Sequence, residues 1–400
     1  MLPESPYPPQ CGNALRDAQQ IRLLQQMGFA VCLLLIQRRV DLRGRDLDFV
    51  PCGIEVTYAN HPPARSERFL HLSWRKLGYL LWSRRHAFAW WTCAAHPAEF
   101  LAAEAERRKP AAVLLRSIFI DTLGVLRGSY SGPIVVDCHD ADVHLAVEAM
   151  RSVPSWRRLG PLANLRAIRR ACRSYLPLAD EIWAVSEQDA ERIRSQAKVG
   201  RVVVIPSAME DPDAGAPVPG EEPIAAMIAN YGYGPNSNGA RWLMEKVWPT
   251  VLQAMPAARL EFIGANMHAG LEQKCRSTPG STVFGRVDNL DPVYRRAAVL
   301  VVPVLEGGGT RLKIVEAWRQ GKAVLTTSKG IEGLAAPVGC AVIADDPLLF
   351  ARELVALFRD RLRRQALGNT GRAFMRDHLS HAKVFEIIKN QSLLTDVVLQ

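Results

Sequence analysis

The residue types between positions 306 and 316 are those that bind phosphate groups and sugar hydroxyls. The sequence there is Glu306-Gly-Gly-Gly-Thr-Arg-Leu-Lys-Ile-Val-Glu316. Glycine has no Cβ, so three successive glycines let backbone N–H groups approach an anion closely. Arg311 and Lys313 would add two cations for phosphates, and the carboxylate of Glu316 would accept hydrogen bonds from ribose hydroxyls. The spacing therefore predicts a site for a nucleoside diphosphate.

Two strands and a helix must position these residues. The apolar run at 298–303 predicts a buried strand that ends just before the glycines. The residues that follow predict a helix of about three turns that opens at the glycines and ends at Gly321, before a strand at Ala323–Thr326. A helix that begins there would direct the partial positive charge of its N-terminus at the anion. The alternative is a glycine-rich turn followed by a solvated, charged helix.

His139 is a second candidate for chemistry. It follows a predicted strand at 133–136. A side chain at the carboxyl end of a parallel strand faces the crevice where ligands bind in doubly wound sheets. The alternative is a histidine that hydrogen-bonds locally to Asp137 or Asp140.

Composition and length exclude several classes of protein. The chain has 400 residues, enough for two or three domains that each bury a core. Hydrophobic residues make up 48% and charged residues 22%, which excludes a disordered chain and a membrane bundle. No apolar run approaches the roughly 20 residues of a membrane-spanning helix, and the proline-rich, polar start does not resemble a signal peptide. The eight cysteines lack Cys-x-x-Cys or metal-ligand spacing, so we interpret them as reduced cytosolic core residues.

Strand and helix patterns alternate along the chain, which predicts α/β domains with parallel, doubly wound sheets. We predict an N-terminal domain at 1–205, a linker at 206–223, a C-terminal domain at 224–385 and a tail at 386–400. The predicted strands of the first domain lie at 29–36, 111–115, 133–136, 181–185 and 202–205. Those of the second lie at 224–228, 259–263, 281–284, 299–302, 323–326 and 341–343, and a helix is expected at 347–360.

With these motifs the chain resembles the retaining family 4 glycosyltransferases (glycosyltransferase group 1), and within them a Gly-Gly-Gly-Thr-Arg-Leu-Lys subgroup. Val136-Asp-Cys-His-Asp140 is similar to the strand end that bears the active-site histidine of the family. Asn230-Tyr-Gly-Tyr-Gly-Pro-Asn236 resembles the start of the second domain. The resemblance covers nearly the whole chain and is strongest at 223–375. It implies the GT-B fold, in which two Rossmann-like doubly wound domains face each other across a cleft and the tail crosses back to the acceptor-side N-terminal domain.

The resemblance implies an enzyme that moves a sugar, with retention, from a nucleoside diphosphate sugar to a hydroxyl acceptor. The expected process is hexosyl-type transfer in lipopolysaccharide, exopolysaccharide or other surface glycan synthesis, with UDP or GDP as the nucleotide, no cofactor and no metal. Asp140-Ala-Asp142 spells the Asp-x-Asp metal signature of a different glycosyltransferase fold, and we interpret it as coincidence. The implied catalytic residues are His139, which would hydrogen-bond the transferred sugar, and Asp140. The implied donor-binding residues are Gly12, Asn13, Gly285, Glu306, Gly307, Gly308, Gly309, Thr310, Arg311, Lys313 and Glu316.

One departure from the family concerns catalysis. Many members carry Glu-x7-Glu, whose first glutamate contacts the donor sugar and whose second binds the ribose. Counting back from Glu316, the first position is Gly308, so that glutamate is absent. Glu306 could replace it only if the loop bulges. The backbone N–H groups of Gly308 and Gly309 are the other replacement.

A second departure concerns the phosphate-binding cations. The family usually has an arginine and a lysine at the start of the second domain, and the stretch 231–239 contains neither. Arg311 and Lys313 are the natural replacements.

The start of the first domain also departs from the family. Members usually begin with an apolar run before a Ser-Pro-Tyr-Pro-Pro-like stretch, whereas only Met1-Leu-Pro-Glu4 precedes it here. Proline fixes φ and removes a ladder donor, so we expect a poor central strand. Either translation starts upstream, which we favour, or the first domain is damaged. The helix that follows is predicted to end at Gly28 and to bury Leu15, Ala18, Ile21, Leu24 and Met27.

The formal charge of +10 is unevenly distributed. Seven arginines and no acidic residue lie at 151–175, and 65–91 mixes arginine and lysine with aromatic residues. Such mixing suits an anionic bilayer surface, where rings lie at headgroup level. Nucleic acid is a less favoured partner, and a solvated basic face over an aromatic core needs no partner at all. We therefore expect a cytoplasmic protein with a peripheral contact to the inner face of the membrane and a glycan or lipid-linked acceptor.

Two other functions remain open. A catalytically impaired relative that binds nucleotide sugar or a partner is suggested by the damaged start and the missing glutamate. A nucleotide-sugar epimerase of the same fold is the third hypothesis. Slow hydrolysis of a donor without acceptor would favour an enzyme, and binding alone would favour the impaired relative.

Overall fold

The computed structural model describes residues 2, 6–7, 12–35, 51, 53–58, 97–139, 142–151, 158–210, 220–308 and 310–398. The chain divides into two compact units, Met1–Pro206 together with Phe385–Gln400, and Ser207–Val384. The C-terminal segment therefore groups with the first unit, and the boundary falls inside a helix, His381–Gln391. Half of the predicted linker, 211–219, lies outside the described residues.

The first unit alternates helices with parallel strands. Its helices are α1 (Gly12–Gln26), α2 (Pro97–Arg108), α3 (Leu123–Ser129), α4 (Asp142–Arg151), α5 (Leu159–Tyr175) and α6 (Glu187–Gln196), with 3-10 turns at Ser117–Thr122 and Leu176–Leu178. Its strands are β1 (Cys32–Leu35), β2 (Glu55–Tyr58), β3 (Val113–Arg116), β4 (Ile134–Cys138), β5 (Glu181–Ala184) and β6 (Arg201–Val204). Strands β3-β4-β5-β6 form a parallel sheet in that order, and β1 pairs in parallel with β2. Each predicted strand of this unit overlaps an observed one, and β2 was not predicted.

Leu2 takes part in the first unit where a poor first strand was expected. Its N–H donates to the carbonyl of Leu34 at 3.0 Å, and it forms a parallel bridge with Leu35. Its side chain is buried in a small cluster with Ile21 and Leu33. The start of the chain thus contributes a sheet contact and an apolar side chain at this described residue.

Helix α1 buries a largely polar face, so the predicted apolar face was wrong. Its buried residues are Ala14, Arg16, Asp17, Gln19, Gln20, Ile21 and Leu23. Of the predicted set, Leu15, Ala18, Leu24 and Met27 are only partly buried. The prediction assumed that apolar residues decide which face points inward. A charged residue is instead buried on this helix, because Arg16 pairs with the buried Asp137 at 2.6 Å. The predicted helix end is confirmed, since Gly28 has a φ of +97° just after the last turn.

The second unit contains the rest of the alternating elements. Its helices are α7 (Gly234–Trp242), α8 (Trp248–Ala254), α9 (Ala269–Ser277), α10 (Asp291–Arg296), α11 (Leu312–Arg319), α12 (Ser328–Ile331), α13 (Pro347–Arg359) and α14 (Arg361–Phe374), with π turns at Leu243–Val247 and Met375–Leu379. Helices α15 (His381–Gln391) and α16 (Leu394–Val398) end the chain. The strands are β7 (Ile224–Ile228), β8 (Arg259–Ile263), β9 (Ser281–Gly285), β10 (Val299–Val302), β11 (Ala323–Thr326) and β12 (Val342–Ile343). None of the helices in the described ranges is long and apolar enough to cross a membrane.

The second unit is a doubly wound sheet. Its six parallel strands lie in the order β12-β11-β10-β7-β8-β9, so the direction of winding reverses between β7 and β10. The predicted bounds of β7, β8, β10 and β11 are confirmed. Trp248, Phe262 and Phe350 lie in the core that covers the sheet. The order places a switch point, where ligands bind in such sheets, beside the loops after β7 and β10.

Helix α11 is shorter than predicted and does not begin at the glycines. It spans Leu312–Arg319, about two turns, and Arg311 before it has a ψ of 82°, outside the helical range. The glycine segment is therefore a loop that precedes the helix. The predicted helix end is confirmed, because Gly321 has a φ of +61° and its N–H donates to the carbonyl of Trp318 at 2.8 Å.

The C-terminal segment is bound to the first unit by a buried carboxylate. Glu181, at the start of β5, is fully buried and accepts from Ser392 Oγ at 2.6 Å and from the backbone N–H of Leu393 at 2.9 Å. Trp183 Nε1 donates to it at 2.6 Å, and Arg201 Nε lies 2.9 Å from its other oxygen. Four donors thus satisfy one buried carboxylate and hold the tail against β5.

Candidate functional site

The loop between β10 and α11 carries most of the predicted donor residues. Gly309 lies outside the described residues. Gly307 has a φ of +95°, and a Cβ there would lie 2.8 Å from Tyr233 Oη and 3.1 Å from the Pro235 ring. Glycine is therefore required at this position by its backbone conformation and by the close approach of the loop after β7.

The loops after β7 and β10 contact each other at the switch point. A Cβ on Gly239 of α7 would lie 2.0 Å from the carbonyl oxygen of Pro303, so no side chain separates this helix from the end of β10. Asn238 Nδ2 donates to Glu306 Oε1 at 2.6 Å. The two loops therefore form one polar surface at the carboxyl ends of neighbouring parallel strands.

Arg311 holds the glycine loop in place. Its side chain is buried, and its Nη atoms donate to the carbonyl oxygens of Gly307, at 2.9 Å, and of Gly308. The predicted cation therefore lies beside the glycines, with part of its hydrogen-bonding capacity directed at the loop backbone.

Lys313 is a partly buried cation whose hydrogen-bond partner is neutral. Its Nζ donates to Asn236 Oδ1 at 2.6 Å. Burial, together with the positive charge of Arg311, lowers the pKa of Lys313 to about 7, and Glu316 acts in the opposite direction. A bound anion would stabilise the charged form of this lysine, because it would supply the negative charge that the amide lacks.

Glu316 faces Lys313 on the same side of α11. Burial raises the pKa of Glu316, and the charges of Lys313 and Arg319 oppose that shift. Burial and then the charge of Glu316 raise the pKa of Tyr294 well above its usual value. The arrangement leaves a carboxylate that hydroxyl donors from a ligand would stabilise.

Two further predicted donor residues lie at the same edge of the sheet. The Oγ atom of Thr310 is buried and has no hydrogen-bond partner among the described residues. Gly285 ends β9 with a φ of +71°, and its carbonyl accepts from the N–H of Gly264 at 2.8 Å. Gly285 lies on the edge strand, two strands from β7, so only Thr310 belongs to the loop at the switch point.

Asn236 and Asn238 were missed by the sequence analysis. The family has an arginine and a lysine in the region of 231–239, whereas here Asn236 contacts Lys313 and Asn238 contacts Glu306. The signal that could have found them was the run of asparagines after β7, on the other side of the switch point from the glycines.

A buried charge cluster surrounds His139 in the first unit. Arg16 donates to Asp137 Oδ1 at 2.6 Å and to Oδ2 at 3.2 Å. Arg116 donates to Asp17 Oδ2 at 3.2 Å. The ring atom Nε2 of His139 lies 2.7 Å from Asp137 Oδ2 and 3.3 Å from Asp17 Oδ1. The N-terminal half of α1 and the carboxyl ends of β3 and β4 bring these residues together.

Arg116 decides which nitrogen of a neutral His139 carries the hydrogen. Its Nη2 lies 3.2 Å from Nδ1 of the ring. A guanidinium only donates, so Nδ1 must accept and the hydrogen lies on Nε2, toward the two carboxylates. Burial lowers the pKa of His139, but Asp137 outweighs it and the pKa is raised, with Arg116 opposing the shift. Both ring nitrogens of His139 face protein groups. The hydrogen bond from His139 to a sugar therefore stays a prediction.

The cluster also contains potential metal ligands. Asp17, Asp137 and His139 each place a ligand atom within 4.8 Å of the others. Each carboxylate already faces a guanidinium, Asp137 that of Arg16 and Asp17 that of Arg116. Two negative and two positive side chains therefore balance without a metal ion. The metal-free site stays a prediction.

Asn13 lies next to the histidine. Its side-chain oxygen is 3.4 Å from Nδ1 of His139. Because Nδ1 accepts from Arg116, the amide nitrogen of Asn13 suits this position better than the oxygen. Gly12, the first residue of α1, is exposed beside it. Asp140 lies outside the described residues.

A known family matches the second unit. Residues 222–360 match the family model described as glycosyl transferases group 1, and this range contains the loops after β7 and β10. An uncharacterised 44.6 kDa protein in the cps region of Klebsiella pneumoniae is 27% identical over 163 residues. That match covers 38% of this chain and 42% of the length of the relative.

Solved structures are similar over almost the whole chain. Sucrose-phosphate synthase from Thermosynechococcus elongatus has a TM-score of 0.71 at 17% identity, over 100% of this chain and 98% of that one. Anabaena Alr3699/HepE in complex with UDP and glucose has a TM-score of 0.63 at 12% identity, over 97% of each chain. WaaG, a glycosyltransferase involved in lipopolysaccharide biosynthesis, has a TM-score of 0.63 at 12% identity, over 98% of this chain and 99% of that one. At such identities these likenesses establish the fold.

Fold and family agree on the nature of the chain. Both units are built on parallel sheets with helices, and the similar structures span both of them. The family match lies within the second unit and includes the glycine loop and α11. The chain therefore has the GT-B fold with two Rossmann-like domains, and residues 222–360 of its second unit match the glycosyl transferases group 1 family.

Proposed function

We propose that the chain is a retaining glycosyltransferase of family 4 that moves a sugar from a nucleoside diphosphate sugar to a hydroxyl group. The observation that carries the proposal is the group of polar residues at the switch point of the second unit. There the glycine loop, Arg311, Lys313 and Glu316 lie together within the residues that the family model matches.

The chemistry follows from the charges at this site. Departure of the sugar leaves negative charge on the diphosphate, and Lys313 with the N–H groups of the loop would stabilise that charge. Arg311 would act mainly by fixing the loop, because it donates to two of the loop carbonyls. Glu316 would accept from the ribose hydroxyls. The rate would come from orientation of the reactants and from charge stabilisation already in place.

The donor and the acceptor are proposed from the relatives. Anabaena Alr3699/HepE was solved with UDP and glucose, which supports UDP as the nucleotide. WaaG is involved in lipopolysaccharide biosynthesis, and the Klebsiella relative lies in a cps region, which supports a surface glycan as the acceptor. We propose no catalytic metal and no cofactor.

Glu306 is the candidate for the glutamate that is missing at Gly308. It lies at the start of the glycine loop, and Asn238 Nδ2 holds its carboxylate at 2.6 Å. We propose that Glu306 contacts the transferred sugar. A variant with Glu306→Gln should then lose turnover more than it loses affinity for free UDP, because free UDP lacks the sugar.

Donor turnover without an acceptor tests the enzymatic proposal against the impaired relative. A thermal-shift screen of UDP, GDP and ADP sugars would select the donor, and release of nucleoside diphosphate would then be followed over time. An enzyme should hydrolyse the donor slowly, and Lys313→Met should reduce that rate. Binding without release would support the impaired relative. NMR of the first product should show the anomeric configuration of the donor, and the opposite configuration would refute retention.

We also propose that α5 contacts an anionic membrane surface on the cytoplasmic side. Arg166, Arg169 and Arg173 lie on one face of this helix, at a spacing of three and four residues. All three are exposed, and none has a hydrogen bond or ion pair with another described residue. Leu159, at the start of the same helix, is 78% exposed. Arginines beside an exposed leucine suit phosphate headgroups above an apolar layer. The aromatic and basic stretch at 65–91 lies outside the described residues.

A further inference from the structure

The side-chain amide of Asn236 joins the two loops at the switch point of the second unit. Its Oδ1 accepts from Lys313 Nζ at 2.6 Å, and its Nδ2 donates to the carbonyl of Asn230 at 2.8 Å. Asn236 is 8% exposed. One end of the amide thus contacts the loop after β7, and the other contacts the helix after the glycine loop.

Both partners fix the orientation of this amide. An ammonium group only donates, so the atom that faces Lys313 must be the oxygen. The carbonyl of Asn230 only accepts, so the atom that faces it must be the nitrogen. A flip of the amide would break both hydrogen bonds, and the amide therefore holds Lys313 Nζ at a defined position.

The partner of Lys313 carries no charge. Among the described residues Lys313 forms no ion pair, and its partly buried ammonium donates only to the amide of Asn236. The charged groups that act on it are Arg311 and Glu316, from its own segment, and they have opposite signs. The residues at 230–238 contribute amides and no charge. A bound anion would supply the negative charge that the neutral partner of this lysine lacks.

We propose that Asn236 is a positioning residue that holds the ammonium of Lys313 for the diphosphate of the donor, and that donor binding is accompanied by proton uptake at Lys313. This inference rests on the proposed function. In this proposal Lys313 replaces the cations that 231–239 lacks. Asn236, on the other side of the switch point, holds it in position. The pKa of Lys313, lowered to about 7, agrees with the geometry. At neutral pH a fraction of the unliganded molecules would carry a neutral Lys313 amine, which takes up a proton when the donor binds.

Calorimetry with UDP-glucose tests this proposal, because the diphosphate of a nucleotide sugar has no group that titrates near neutral pH. For the wild type, affinity should fall as the pH rises above about 7, with a slope that approaches tenfold per pH unit. Titrations in buffers of different ionisation enthalpy should show proton uptake. GDP-glucose and ADP-glucose serve as alternative probes if UDP-glucose does not bind.

Asn236→Asp and Asn236→Ala separate positioning from simple packing. A carboxylate at 236 would pair with Lys313 and raise its pKa, so the fall in affinity should move to higher pH while affinity at pH 7 decreases. Asn236→Ala should weaken binding roughly tenfold, because the ammonium is no longer oriented. Asn369→Asp is the matched control, since Asn369 is exposed on α14 and has no partner among the described residues. It adds the same charge and should leave the pH profile unchanged.

Three results would overturn the inference. An Asn236→Asp profile identical to the wild type would show that Asn236 does not control Lys313. A wild type that binds the nucleotide sugar without proton uptake would show that Lys313 keeps its protonation state on binding, which refutes this inference and leaves the proposed function intact. A wild type that binds no UDP, GDP or ADP sugar in the thermal-shift screen would refute both. If the Asn236 variants do not fold, Lys313→Met supplies the test, because it should abolish proton uptake.

Discussion

At the scale of single residues, Arg311 and Lys313 differ in what surrounds them. Arg311 donates to two backbone carbonyls of the glycine loop, whereas Lys313 donates to a side-chain amide. Removal of Arg311 leaves buried carbonyls without a donor, which costs roughly 1–3 kcal/mol. Removal of Lys313 takes away a partly buried charge whose partner is neutral. The two cations should therefore differ in their effect on stability.

We expect Lys313→Met to weaken the binding of nucleoside diphosphate by roughly 1.5–3 kcal/mol, the loss of a charge-assisted contact. Arg311→Met should also weaken it, because the glycine loop would no longer be fixed. Only Arg311→Met should also lower the free energy of unfolding clearly. Calorimetry with UDP and GDP, together with urea unfolding, measures both quantities. Arg352→Met, at an exposed position on α13 without a partner among the described residues, is the control. Unchanged affinity in both variants would place the diphosphate elsewhere.

The pair of Arg16 and Asp137 makes a prediction about acid stability. Burial would raise the pKa of Asp137, but the charges of Arg16 and His139 lower it far below its usual value. A carboxyl group with a lowered pKa stabilises the fold at pH values above its pKa in the unfolded chain, about 3.9. This stabilisation is lost progressively as the pH falls below that value toward the pKa of the folded state. The raised pKa of His139 has the opposite dependence on pH. Its contribution to the stability of the fold is present below the unfolded pKa of about 6.5 and is lost as the pH rises through the pKa of the folded state.

We expect Asp137→Asn to cost roughly 3–5 kcal/mol of unfolding free energy at neutral pH, because Arg16 would remain buried without its counter-charge. The difference from the wild type should shrink as the pH falls below about 4, where Asp137 of the unfolded chain becomes protonated. Urea unfolding across this range measures it. A difference that is the same at every pH would show that Asp137 acts by packing alone.

At the scale of elements, the position of the C-terminal segment against β5 depends on Glu181. This carboxylate accepts from Ser392 and from the N–H of Leu393, at the junction between α15 and α16. Glutamine at 181 would place an amide nitrogen where one of these donors points. The start of β5 would then hold the tail less firmly.

We expect Glu181→Gln to speed hydrogen exchange at 392–398 and to lower the free energy of unfolding by roughly 1–3 kcal/mol, the cost of unsatisfied buried groups. Glu187→Gln is the matched control, because Glu187 is 64% exposed and pairs with Arg194 at the surface. Its effect should stay below about 1 kcal/mol. Equal exchange at the tail in both variants would contradict the role of Glu181.

At the scale of the whole molecule, the charge of α5 makes a prediction about membrane binding. Each arginine near an anionic surface contributes roughly 1 kcal/mol, and salt screens this contribution over a Debye length of about 10 Å at 0.1 M. The protein should therefore float with anionic vesicles at low salt and be released as the salt concentration rises. A triple variant with Arg166→Glu, Arg169→Glu and Arg173→Glu should not float, and its affinity for UDP should be unchanged.

The control for this experiment carries the same change in net charge on the second unit. Arg259→Glu, Arg295→Glu and Arg352→Glu alter exposed arginines without partners among the described residues. This variant should float like the wild type. If it is released as readily as the α5 variant, net charge alone decides binding. A wild type that ignores anionic vesicles at low salt would refute the membrane proposal.

The sequence by itself determined the doubly wound class, the strands of the second unit and the position of the glycine loop. Strands such as β7 and β10 are continuous apolar runs, and Gly28 and Gly321 end helices through positive φ. These features depend on residues close to one another in the chain, so periodicity and glycine positions are enough to predict them.

Only the tertiary structure decided which polar groups meet. Asn236 contacts Lys313 across 77 positions, Arg16 contacts Asp137 across 121, and Glu181 contacts Ser392 across 211. The apolar face predicted for α1 was wrong for the same reason, because the partner that makes Arg16 stable in the interior lies on β4. Which strands are neighbours, and which loops meet at their ends, follows from the winding of the sheet, and no local pattern in the sequence encodes that winding.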